Sequence, residues 1–275
     1  MRSIAVSFVI SLSLASVNLF AGEAASGEKG WQTHTLQSQY QRDETKVHVL
    51  PPDDLDKSKQ YRVLYILPVE GRYGMRWGSA MAEATKLDLA NKHQLICVYP
   101  TFADLPWYCN HPTNKQLQQE TYFLKEVIPL VEREYPALAN REGRLLVGFS
   151  KSGWGAWSLL LRHPEKFAAA ASWDAPLMEK TPKYGMGPIV GDEENFEHYR
   201  IDRLLATRAK GLGESPRLVL TGYDNFRTHG QKAHALLEKL EVPHIYRDGP
   251  KRRHHWESGW LEEAVGHLLE ITASE

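Results

Sequence analysis

Residues 144–164 read RLLVGFSKSGWGAWSLLLRHP. The apolar stretch from Leu145 runs into Gly148-Phe149-Ser150, and a helical pattern begins at once with no polar loop between them. A short continuous apolar run suits a strand buried on both faces. A strand that passes straight into a helix must turn sharply, which lifts the residue at the turn above the sheet, and here that residue is Ser150. Its oxygen would stand where a base can reach it. The Lys151 amide would open the helix and face developing negative charge, as one oxyanion donor. One position departs from the G-x-S-x-G form of such turns, because Ser152 stands in place of the last glycine. Serine is nearly as small as glycine, so the turn is expected to survive. Gly153 and Gly155 leave room for close helix-to-sheet contact. Ser152 falls inside the helix, so Ser150 is the candidate nucleophile.

The chain around this unit alternates in kind. Upstream lie three strand-like segments, WQTHTLQS, TKVHVLPP and QYRVLYILPVEG, each rich in β-branched or aromatic residues or ending in Pro or Gly. A helical stretch over residues 79–91, the strand HQLICVYP and a longer helix over 114–134 follow. Leu117, Tyr122, Leu124, Ile128 and Val131 give that longer helix a buried stripe. Downstream come FAAAASW, a less patterned stretch over 175–213, RLVLTGYD, a helix over 231–240, the short VPHIYR and a last helix after Trp260. Strand and helix in alternation imply an α/β protein with a mainly parallel sheet and helices on both faces. With no internal repeat, low-complexity linker or composition break, one domain over residues 25–275 is expected. The segment TPKYGMGPIVGDEEN is long for a strand-to-helix connection, so the region 176–212 is expected to form a lid or site wall.

Composition narrows the class of partner. Hydrophobic residues make up 42% of the 275 and the formal charge is -1, so nothing gathers nucleic acid or a membrane surface. Residues 1–24 carry one early arginine, an apolar stretch and small residues near 21–24, the pattern of a cleaved secretory signal. The mature protein is therefore expected to be secreted or periplasmic, with no membrane span. Its two cysteines, Cys97 in an apolar strand and Cys109 in a loop, are better read as separate thiols than as a bridge.

A nucleophilic serine needs a base and an orienting acid, expected at later strand ends in the order serine, acid, histidine. RLVLTGYD places Asp224 at a strand end and favours it as the acid; Asp174, ending the preceding strand, is the alternative. After the last strand, His254 and His255 are adjacent, and only one can face Ser150. No histidine spacing suits a metal site, so no metal is expected. The second oxyanion N–H is expected from Val69 or Glu70, in the loop after YRVLYIL. Trp107, Tyr108 and Trp154 are candidates for a substrate pocket.

Together GFSKSGWGAWSLLLRHPEKFAAAASWDAPL and the closing HHWESGW carry a resemblance. They resemble the esterase D, feruloyl esterase and antigen-85-like branch of the α/β-hydrolases, where Arg-His-Pro closes the helix as Arg162-His163-Pro164 do here. The resemblance implies the α/β-hydrolase fold, a twisted, mainly parallel sheet with antiparallel N-terminal strands. The H-x-W pattern selects His254, with Trp256, as the base, leaving His255 as the alternative. It further implies hydrolysis of carboxylic esters, including acyl or phenolic groups on carbohydrates, through an acyl-enzyme without a cofactor. Some members transfer the acyl group to another alcohol, and a non-catalytic binding relative is the other reading. Pro68-Val69 stands where the family often has His-Gly, which makes the oxyanion loop the less regular part of the pattern.

Overall fold

The computed structural model describes residues 30–72 and 74–273. The expected signal at 1–24 lies outside the described residues. In chain order the strands are β1 (Gln32–Leu36), β2 (Thr45–Leu50), β3 (Arg62–Ile66), β4 (Leu95–Pro100), β5 (Arg144–Phe149), β6 (Ala169–Trp173), β7 (Leu218–Tyr223) and β8 (His244–Lys251). They form one eight-stranded sheet in the order β1-β2-β4-β3-β5-β6-β7-β8. β1, β2 and β4 pair antiparallel, and from β4 to β8 every neighbouring pair is parallel.

Side-chain alternation along the strands divides the apolar core in two. Leu145, Val147 and Phe149 of β5 join Leu64 and Ile66 of β3 on one face, covered by α1 (Ala80–Lys86), α2 (Leu89–His93) and, from the far end of the chain, the helix Trp260–Ile271. Leu146, Val63 and Tyr65 join the opposite face. There they meet α3 (Gln119–Tyr122), α4 (Ile128–Glu134) and α5 (Ser150–Arg162), whose Trp157 and Leu160 are wholly buried. Both faces of the parallel strands are covered, which is why those strands read as unbroken apolar runs.

Two expected helices are interrupted. The stretch 79–91 divides at Asp88, which takes a left-handed φ of 51° between α1 and α2. The stretch 114–134 starts only at Gln119 and widens into a π turn over Phe123–Val127 before α4. Pro129 has no N–H to return to the preceding turn, which accounts for the wider turn there. The region 176–212 contains α6 (Gly187–Val190), α7 (Glu193–Tyr199) and α8 (Ile201–Arg208), whose Ile189, Phe196, Ile201 and Leu204 are buried in the core. Its N-terminal part alone, through Pro176 and Tyr184, reaches the site described below. The sheet closes with α9 (Arg227–Lys239) before β8, and the Trp260–Ile271 helix, α10, ends the described chain. Cys97 and Cys109 are buried, unbridged thiols, each pushed up to about 12 by burial.

Candidate active site

The passage from β5 to α5 is a sharp turn. Phe149 is still extended, and Ser150 takes φ 52°, a left-handed conformation rare for a residue with a side chain. The hydroxyl of Ser152 explains how the turn tolerates serine: Oγ accepts the Phe149 N–H at 3.1 Å and donates to the Phe149 carbonyl at 2.9 Å. It ties the last strand residue to the first helical turn. At Gly148 a side chain would collide with the Ser152 backbone, so glycine is required there.

Ser150 and His254 line one cavity of about 560 Å³, with Arg76, Trp77, Lys151, Pro176, Tyr184, Asn225 and Phe226. The cavity opens where β5, β6, β7 and β8 end, the usual ligand position in an open α/β sheet. Another cavity of about 600 Å³, lined by Met178, Lys180, Arg200, Asp202, Arg203, Ala206, Lys232 and Leu236, contains no serine or histidine.

The carboxylate on the His254 ring belongs to Asp174, which corrects the preference for Asp224. Asp174 Oδ2 lies 2.5 Å from His254 Nδ1, and both side chains are buried. Oδ1 accepts the amides of Asn225 at 2.9 Å and Phe226 at 2.7 Å. Burial pushes this carboxyl up. The hydrogen bonds from His254 and from the amides after β7 more than offset it and hold the group below its ordinary value. Asp224 instead accepts the His254 backbone N–H at 3.0 Å through Oδ2, while Oδ1 meets Lys251 Nζ at 3.2 Å. It fixes the loop and leaves the ring to Asp174. The physical reason is the turn at the end of β6, where Asp174 takes a left-handed φ of 39° and its carboxylate meets the amides after β7 and the His254 ring.

His254 is also held by rings. Trp77 meets it edge-on at 4.7 Å, Phe149 at 4.9 Å, and Phe226 lies tilted at 5.9 Å. Trp256 packs beneath, 4.8 Å from Phe149 and 5.5 Å from Trp173, and its backbone N–H donates to the Trp77 carbonyl. His255 does not line the cavity. Its ring lies against Gly78, whose φ of 80° and lack of a side chain make room for it, and Nδ1 accepts the Glu257 N–H.

In the loop expected to supply the second oxyanion N–H, the chain leaves β3 through Pro68, whose carbonyl accepts the Tyr108 hydroxyl at 2.6 Å. Gly155 of α5 admits the Tyr108 ring, which any side chain there would strike. Trp107 and Trp154 are buried edge-to-face at 5.5 Å. The expected pocket aromatics are therefore core: Tyr108 braces the loop, and Trp107 with Trp154 packs behind it. Trp77, Tyr184 and Phe226 line the cavity in their place. The loop after β3, expected to supply amides, also supplies the Trp77 ring beside His254. Val69 is buried, and the Glu70 carboxylate accepts Trp77 Nε1 at 3.0 Å and pairs with Lys151 Nζ at 3.4 Å. Burial holds the Lys151 ammonium below its ordinary value against the attraction of Glu70. The two side chains offset each other's charge beside Ser150.

Residues 38–200 match the model of the family described as "Putative esterase". An esterase of Mycobacterium tuberculosis is 29% identical over 143 residues, covering 47% of this chain and 29% of the relative. The matched region thus spans under a third of that protein's length. A ferulic acid esterase superposes with a TM-score of 0.70 at 20% identity, covering 88% of this chain and 96% of its own. A fluorophosphonate-binding serine hydrolase of Staphylococcus aureus gives 0.70 at 18% identity, with 92% and 100% covered. An S-formylglutathione hydrolase of the same organism gives 0.69 at 18% identity, with 89% and 98% covered. These solved structures share the fold. The family match extends over more than half of the 275 residues. The chain belongs to the family described as "Putative esterase" and has the α/β-hydrolase fold.

Proposed function

We propose that the protein is an exported serine esterase that hydrolyses carboxylic esters through an acyl-enzyme on Ser150. The observation that carries this reading is the placement of a left-handed, strand-end serine in one cavity with a histidine whose Nδ1 is bound by a buried carboxylate. With Nδ1 engaged, Nε2 is the nitrogen left for Ser150. His254 takes the hydroxyl proton as Oγ attacks the ester carbonyl and returns it to the leaving alcohol. Water, deprotonated by the same nitrogen, then releases the acid. Asp174 holds the tautomer and stabilises the imidazolium. The Lys151 amide, with Val69 or Glu70, donates to the tetrahedral oxyanion.

The substrates we propose are acyl or feruloyl esters of carbohydrates, because Trp77, Tyr184 and Phe226 line the cavity with aromatic side chains. The export reading rests on the sequence of residues 1–24, and among the described residues no helix is long and apolar enough to cross a membrane. A fluorophosphonate probe tests the chemistry. Covalent labelling that maps to the Ser150 peptide and disappears in Ser150→Ala supports the esterase, whereas a folded wild type that resists the probe defeats it. Acetyl, feruloyl and longer-chain esters assayed side by side then set the acyl preference.

A further inference from the structure

Away from the cavity, α9 and β8 bring together a second set of chemically capable side chains. His234 and Glu238 stand four residues apart, hence on one face of α9, and His244 begins β8 beside them. The His244 Nδ1 atom lies 2.8 Å from the Val242 carbonyl. A carbonyl only accepts, so Nδ1 carries the proton and Nε2 presents a lone pair. That lone pair faces His234 Nδ1 at 2.8 Å. The Glu238 carboxylate lies 3.8 Å from His244 Nε2 and 4.0 Å from His234 Nδ1, too far to hydrogen-bond to either ring.

We infer that these three residues form a binding site for a borderline divalent cation of the Zn²⁺ class. Two imidazole nitrogens and one carboxylate oxygen make a donor set that suits such ions and suits Mg²⁺ or Ca²⁺ poorly. For ligands about 2.0–2.1 Å from a tetrahedral ion, the ligand atoms lie roughly 3.4 Å apart. The observed separations of 2.8, 3.8 and 4.0 Å bracket that value, so small side-chain adjustments complete the triangle. The supports are already in place. The Val242 carbonyl orients His244, as outer-shell acceptors orient metal-bound histidines, and Tyr246 stacks on His234 at 4.0 Å. His244 is 3% exposed at its side chain and Glu238 is 65% exposed, so the open side can admit water as a fourth ligand.

This site stands apart from the chemistry at Ser150. His244 begins β8 and His254 follows its other end, so the two lie at opposite ends of that strand. A bound ion would clamp α9 to the edge strand β8 and act on stability.

The test uses the full chain without an affinity tag, stripped with a chelator and titrated calorimetrically with Zn²⁺ and separately with Mg²⁺. One Zn²⁺ per chain is expected, with a rise in Tm of about 5 °C at a hundredfold excess over Kd, and no response to Mg²⁺. Glu238→Gln, at an exposed position, and His234→Ala, at a half-buried one, should each weaken Zn²⁺ binding at least about tenfold, with circular dichroism reporting the fold. His267→Ala, which removes a half-buried helical histidine near Glu270, should change nothing. Absence of binding at millimolar Zn²⁺ overturns the site. So does binding that Glu238→Gln and His234→Ala leave intact, or that His267→Ala weakens as much as they do.

Discussion

β6 and β7 lie side by side, and each runs out into an aspartate, yet the two carboxylates meet different parts of one histidine. Asp174 takes a left-handed φ of 39° at the end of β6, which folds its side chain back among the amides that follow β7. There it is 3% exposed and reaches the ring. Asp224 stays at the rim, partnered by a lysine and by the His254 backbone. The difference shows that being a strand-end acid is not enough. The acid that can set a tautomer is the one buried against the ring, with its other oxygen already satisfied.

Substitution at these two positions should separate the roles. Asp174→Asn is expected to lower kcat about 10⁴-fold while the protein stays folded, because an amide cannot hold the same tautomer or offset the imidazolium charge. Steady-state hydrolysis of an activated ester measures this. Asp224→Asn should cost only about tenfold, since it loosens the backbone at His254 and leaves the ring pair in place. Equal losses in the two variants would erase the distinction.

A third contrast is in pH. The folded state holds the Asp174 carboxyl below its ordinary value, so it favours the anion and gains stability from it. That stabilisation is fully present above the unfolded value of about 3.9 and is lost as pH falls through the lowered folded value. The difference in urea midpoint between wild type and Asp174→Asn should therefore narrow below about pH 4. The smallest effect concerns the turn beneath Ser150. Ser152→Gly, which restores the commoner residue, should keep activity within a few-fold and lower stability by about 1–2 kcal/mol. The Phe149 bridges are lost and helical glycine is unfavourable.

Much of this architecture was legible in the sequence because it is periodic. Apolar runs marked the parallel strands, and RLLVGFSKSGWG announced the turn. What sequence could not supply was adjacency. Asp174 and Asp224 read alike until the turn at the end of β6 buries one of them against the His254 ring. Trp107, Tyr108 and Trp154 read as pocket because aromatic residues suit both a pocket and a core, and here three-dimensional packing puts them behind the loop. Trp77 and Phe226 reach His254 from separate connections, with no spacing to link them. His234, Glu238 and His244 converge only because α9 folds back beside β8.

The most direct test of the Asp174–His254 pairing is the low-field proton spectrum, where an imidazole N–H shared with a carboxylate is displaced far from the amide envelope. The resonance should be present in the wild type and in Asp224→Asn, and absent from Asp174→Asn and His254→Ala. A signal that survives Asp174→Asn and vanishes in Asp224→Asn would contradict the assignment.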